Sequence, residues 1–165
     1  MRDEPYDPGS RLIHLLLALL GIAAVVSGQF AGDYFKRPHL GFDLHRWIGL
    51  AAGGALLLRL AWGVAGPVAM RFSRWFETHE RLAGAVQAIG LAAFAWMAAT
   101  GALLFAFLDP GVRSAGWLRA VKELHEGGQA VVLAYLALHV GAVLAHAVTG
   151  RPVWRRMFSL RRPAP

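Results

Sequence analysis

Four stretches of this chain are long and apolar enough to cross a bilayer, and that single feature leaves few folds open. A helix needs about 20 mostly apolar residues to span the hydrocarbon, and in lipid only helices and closed barrels satisfy every backbone amide. The first run, about 12–30, is interrupted only by His14, Ser27 and Gln29. The second, about 42–64, carries His45 and Arg46 near its start and Arg59 near its end. The third, about 82–108, holds no formal charge and stops at Asp109-Pro110-Gly111; the fourth, about 123–148, is followed by Gly150 and Pro152. The connections at 31–41, 66–81 and 109–122 collect most of the remaining proline, aspartate and charge, with no low-complexity segment and no convincing internal repeat. The expected fold is all-α, an integral membrane four-helix bundle forming one domain over 1–165 and ending in a basic tail at 151–165.

Composition supports a bilayer as the solvent. Of 165 residues, 56% are hydrophobic and 16% charged, against about 25% charged in ordinary soluble domains. A soluble protein of this size would lack the polar surface to cover itself. The net charge of +7 would suit nucleic acid only if the basic residues lined one wet face. They cluster instead at the ends of apolar runs, so a lipid bilayer and no nucleic acid is expected. Cysteine is absent, which excludes disulfides, thiolate metal sites and iron–sulfur clusters and leaves histidine and methionine as metal ligands. Arg2 and Arg11 ahead of an apolar stretch have the outline of a signal peptide, but Asp3, Glu4, Asp7 and the length of the run favour a retained span.

Orientation follows from counting Lys and Arg by side. Arg2, Arg11, Arg71, Arg74, Arg81, Arg151, Arg155, Arg156, Arg161 and Arg162 fall on the side that holds both termini and the second connection. Lys36, Arg37, Arg113, Arg119 and Lys122 fall on the other, with Arg46 at its edge. The excess places both termini in the cytoplasm. Residues 153–160, with Trp154, Met157 and Phe158 among arginines, read as a short interfacial helix or as a plain basic anchor.

Seven histidines are present and four lie inside apolar runs, where an ionisable side chain is costly and points to function. A single such histidine is readily explained by a hydrogen bond to a neighbouring helix; four at matched depths are not. His125 and His139 are 14 residues apart, within about 40° of one helix face and about 21 Å apart along it. His14, near the start of the first helix, is level with His139. His45, near the start of the second, is level with His125. Two pairs result, one per leaflet and each drawn from different helices, as two irons with both axial positions filled by imidazole require.

Other residues fit that arrangement. Gly49, Ala52, Gly53 and Ala55 around His45, and Ala18, Gly21, Ala24 and Gly28 after His14, leave room for a flat macrocycle, although such faces also serve plain helix contact. Arg59, on the face of His45 but near the level of His14, is placed to pair with a haem propionate or to snorkel to the interface. His39 and His79 lie in connections. His146 shares a face with His139 and is its rival for the inner iron, with depth favouring His139. Polar span residues such as Gln29, Gln87 and Thr100 are weak candidates for a small-molecule pocket, with a plain bond to backbone as the alternative for each.

The stretches Arg11-Leu-Ile-His14, Leu44-His45-Arg-Trp-Ile-Gly49, Leu58-Arg59-Leu-Ala-Trp62-Gly63, Leu124-His125-Glu126 and Leu138-His139-Val-Gly-Ala142 resemble the bacterial cytochrome b561 family. That family overlaps the cytochrome b subunits of nickel–iron hydrogenases and formate dehydrogenases. The tail Gly150-Arg-Pro-Val-Trp-Arg-Arg-Met157 is similar to the family's ending, while Leu15 stands where many relatives have tryptophan. The resemblance covers nearly the whole chain. It implies two haem b groups, held by His14 with His139 and by His45 with His125, in a bacterial inner-membrane protein that exchanges electrons with quinone. It implies as partner a periplasmic cytochrome or a dehydrogenase subunit. The alternative it offers is an oxidoreductase that oxidises superoxide and reduces ubiquinone with no protein partner, its outer basic residues steering the anion.

Overall fold

The computed structural model describes residues 6–31, 40–67, 71–74, 81–108, 116–150 and 153–158. Four long helices cross in alternating directions: α1 (Pro8–Gly28), α2 (Leu40–Ala65), α3 (Arg81–Phe107) and α4 (Gly116–Val148). A short 3-10 turn (Phe72–Arg74) lies between α2 and α3, and a five-residue helix, α5 (Trp154–Phe158), follows α4. No strand occurs among the described residues. All four long helices are long and apolar enough to cross a membrane. Each turns large apolar side chains outward: Leu19, Leu57, Leu82 and Leu138 are 59%, 68%, 80% and 73% exposed. Continuous apolar surface of that kind is stable only under lipid.

Two helices begin earlier than the edges of their apolar runs. α1 starts at Pro8 rather than near 12 because Asp7 caps it, its carboxylate accepting from the Ser10 amide at 2.9 Å, and proline suits the first helical position. α4 starts at Gly116 rather than 123. Its first turns are amphipathic: Leu118 is buried against Phe42 and Leu108, while Lys122 and Glu126 pair one turn apart on the outside. α4 ends near Gly150, whose φ of +78° suits glycine. Asp109-Pro110-Gly111 and Pro152, read as stops, lie outside the described residues, as do His39, His79, Lys36, Arg37 and Arg113.

The closest packing runs α1 on α2, α2 on α3 and α3 on α4. At one end the residues that open α1 meet those of α5. The Tyr6 amide donates to the Arg156 carbonyl at 3.0 Å, Arg11 Nε donates to the Met157 carbonyl at 2.8 Å, and the Arg156 guanidinium sits 4.4 Å from the centre of the Tyr6 ring. Trp62, near the end of α2, donates to Ser10 at 2.9 Å on the same side. Within the tail read as a short interfacial helix or a plain basic anchor, the described residues hold the helix α5, clamped to the start of α1. At the opposite end Phe42, Leu108 and Leu118 close the bundle, with Ala31 and Leu104 packed on them.

Candidate functional site

Antiparallel packing carries the histidine register from sequence into space. His14 is six residues into α1 and His139 nine residues from the end of α4. Their ring centroids lie 6.3 Å apart, with planes at 50°. His45, five residues into α2, and His125, nine residues into α4, have centroids 6.1 Å apart and planes at 66°. All four are half-buried. The structure thus brings together the two pairs read from depth. His146 is exposed; the α4 ring that meets His14 is His139.

The rings of the second pair are fixed by hydrogen bonds on Nδ1. His45 Nδ1 lies 3.1 Å from the Ala24 carbonyl and 3.2 Å from Ser27 Oγ. A carbonyl only accepts, so the ring proton sits on Nδ1 and Nε2 keeps its lone pair. His125 Nδ1 lies 2.8 Å from Thr100 Oγ1, whose own proton is directed to the Trp96 carbonyl at 2.8 Å. The hydroxyl is left to accept, and the same tautomer follows. Glycine makes this closeness possible: a Cβ at Gly28 would stand 3.2 Å from His45 Cε1, and one at Gly101 3.1 Å from His125 Cε1.

The first pair has a different surround. Tyr135, one turn before His139, stacks on it at 5.6 Å and 27°, and Phe94 meets Tyr135 edge-on at 6.3 Å. Gly90 opens the notch that receives the Tyr135 ring, and Gly21 makes room for Phe94. Arg59 is close enough to His14 for their charges to interact, and its guanidinium lies 5.3 Å from the centre of the Phe72 ring.

The small residues expected to admit a macrocycle have mixed roles. Gly21 and Gly28 accommodate Phe94 and His45, Gly53 faces Ala98 across an ordinary helix contact, and Gly49 is open. Gln29 bonds back to the Val25 carbonyl, Gln87 is exposed, and Thr100 serves His125 rather than a separate pocket. A cleft of about 390 Å³ lies instead beside His14, lined by Arg11, Leu12 and Leu15 of α1 and by Met157 and Phe158 of α5. Sequence reasoning missed Ser27 and Tyr135 altogether. The available signal was a hydroxyl followed directly by glycine inside an apolar run, at Ser27-Gly28 and Thr100-Gly101.

The donor set suits haem iron. An imidazole nitrogen binds a metal at about 2 Å, and two such rings on opposite sides of one ion have centroids roughly 6–6.5 Å apart. Both pairs have that separation, and rotation about the shared axis leaves the interplanar angle free. Each pair supplies two imidazoles, the number that a metal held in a macrocycle would take from the protein. Residues 5–160 match the family described as prokaryotic cytochrome b561. No curated protein and no solved structure matches the chain.

Proposed function

This chain belongs to the prokaryotic cytochrome b561 family, and from that premise we propose that it carries electrons across the bilayer between two haem b sites and exchanges them with quinone. As a member it is a multi-pass membrane b-type cytochrome of electron transport. One observation carries the proposal: two histidine pairs with centroid separations of 6.3 and 6.1 Å, about 21 Å apart along α4.

His14 and His139 would hold one haem, and His45 and His125 the other. When bound, haem supplies one-electron redox chemistry that no side chain here offers. The chain's own part is to hold, orient and shield. Ser27, Ala24 and Thr100 fix the outer rings through Nδ1, leaving Nε2 for the metal. Tyr135 fixes the face of His139. Arg59, beside His14, would supply positive charge to a propionate of the inner haem. The apolar flanks of the helices keep water from both sites.

Quinone would enter at the cleft beside His14, where Leu12, Leu15 and Phe158 offer apolar contact and Arg11 a polar rim. That end carries the start of α1 clamped to α5, and the excess of basic residues assigns it to the cytoplasmic face of the bacterial inner membrane. The test uses the purified holoprotein in sealed vesicles that enclose ferricyanide. Quinol added outside should reduce the enclosed ferricyanide with wild type and not with His45→Ala. Equal rates for the two proteins would refute transmembrane transfer through these sites.

A further inference from the structure

Two different helix hairpins hold the outer histidines in the same way. Near the end of α1, Ser27-Gly28 faces His45 of α2; near the end of α3, Thr100-Gly101 faces His125 of α4. In each case the hydroxyl oxygen meets Nδ1, at 3.2 and 2.8 Å, while the hydroxyl proton goes to a carbonyl of its own helix, Ala24 or Trp96. At the first hairpin the Ala24 carbonyl, three residues before the hydroxyl, also accepts from the ring at 3.1 Å. In each case the following glycine leaves the space a Cβ would crowd, at 3.2 and 3.1 Å from Cε1. This is an internal repeat that linear comparison does not reveal. It consists of a few residues per hairpin, at hydroxyl-to-histidine separations of 18 and 25 residues.

Serine and threonine in helices often bond back to a carbonyl one turn earlier with no further role. Such back-bonding accounts for neither the two short contacts to Nδ1 nor the glycine that follows each hydroxyl. We infer that Ser27-Gly28 and Thr100-Gly101 are paired positioning elements that fix the orientation and donor strength of His45 and His125, and so set the reduction potential of the outer haem. The inference rests on the two-haem reading above. An N–H donated to a fixed acceptor makes the opposite ring nitrogen more basic. A more basic ligand favours the oxidised iron, so these oxygens hold the potential down and their removal raises it.

The test is redox potentiometry of the purified holoprotein together with a haem count. Thr100→Val removes the oxygen and keeps the shape. It should retain two haems and move upward only the component that His125→Ala abolishes, and Thr100→Ser should restore the wild-type value. Ser27→Ala should move the same component in the same direction. Wild-type potentials in both variants, a shift of the other component, or shifts of opposite sign would overturn the inference. Should Thr100→Val lose the outer haem, Ser27→Ala decides, and an unmoved potential there overturns it. A wild-type protein with fewer than two haems would defeat the two-haem reading itself. Two wild-type components with unmoved variants would defeat only this inference.

Discussion

At Gly90 one added methyl group reaches the inner histidine pair through Tyr135. A Cβ built there would overlap the Tyr135 ring and stand 2.5 Å from its hydroxyl oxygen, whereas carbon prefers neighbours at about 3.5–4.0 Å. The ring must therefore retreat by roughly 1.5–2 Å. It is held edge-on by Phe94 and face-on by His139, so the movement passes to His139 and opens the pair it forms with His14. Overpacking of this kind costs about 1–3 kcal/mol. Borne by the inner site, that cost corresponds to about 5- to 150-fold weaker retention of the inner haem, at 1.4 kcal/mol per tenfold. The assay is transfer of haem from purified Gly90→Ala to an excess of apomyoglobin, followed by potentiometry of what remains. The inner component should be lost first and the outer one kept. Gly54→Ala, where nothing lies within 4 Å of the added Cβ, is the control and should match wild type. Wild-type retention in Gly90→Ala, or preferential loss of the outer component, would refute the route through Tyr135.

Other outcomes follow from the same geometry. His14→Ala and His139→Ala should abolish one redox component, and His45→Ala and His125→Ala the other, in potentiometric curves of each variant; His146→Ala should leave both. Arg59→Gln removes a positive charge beside His14, which disfavours the reduced state, so the inner potential should fall while the outer stays fixed. A reporter active only in the periplasm should give no signal when fused to Pro165, because the basic side holds both termini.

The bundle was legible in sequence because lipid enforces a simple rule of about 20 apolar residues per span. Its ends were less legible, because polar detail decides them: the Asp7 cap draws α1 back to Pro8, and Leu118 draws α4 back to Gly116 by burying itself against Phe42. The histidine pairs were legible because helix rise converts the spacing of His125 and His139 into two depths. Their surroundings were not. Ser27 reads in sequence as an interruption of an apolar run and Thr100 as a weak candidate for a small-molecule pocket, since the partner of each lies on another helix. Gly28, Gly90 and Gly101 read as generic small residues, because a glycine does not reveal which ring it admits. The notch at Gly90 and the glycine beside each hydroxyl appear only when the hairpins are packed.

The central claim is that each histidine pair holds its own haem, and the number of haems per chain tests it most directly. A pyridine haemochrome measurement on the wild-type protein, purified after expression with ample haem and set against a quantitative amino-acid analysis, should give two b-type haems per chain. One haem per chain, or none, would contradict it.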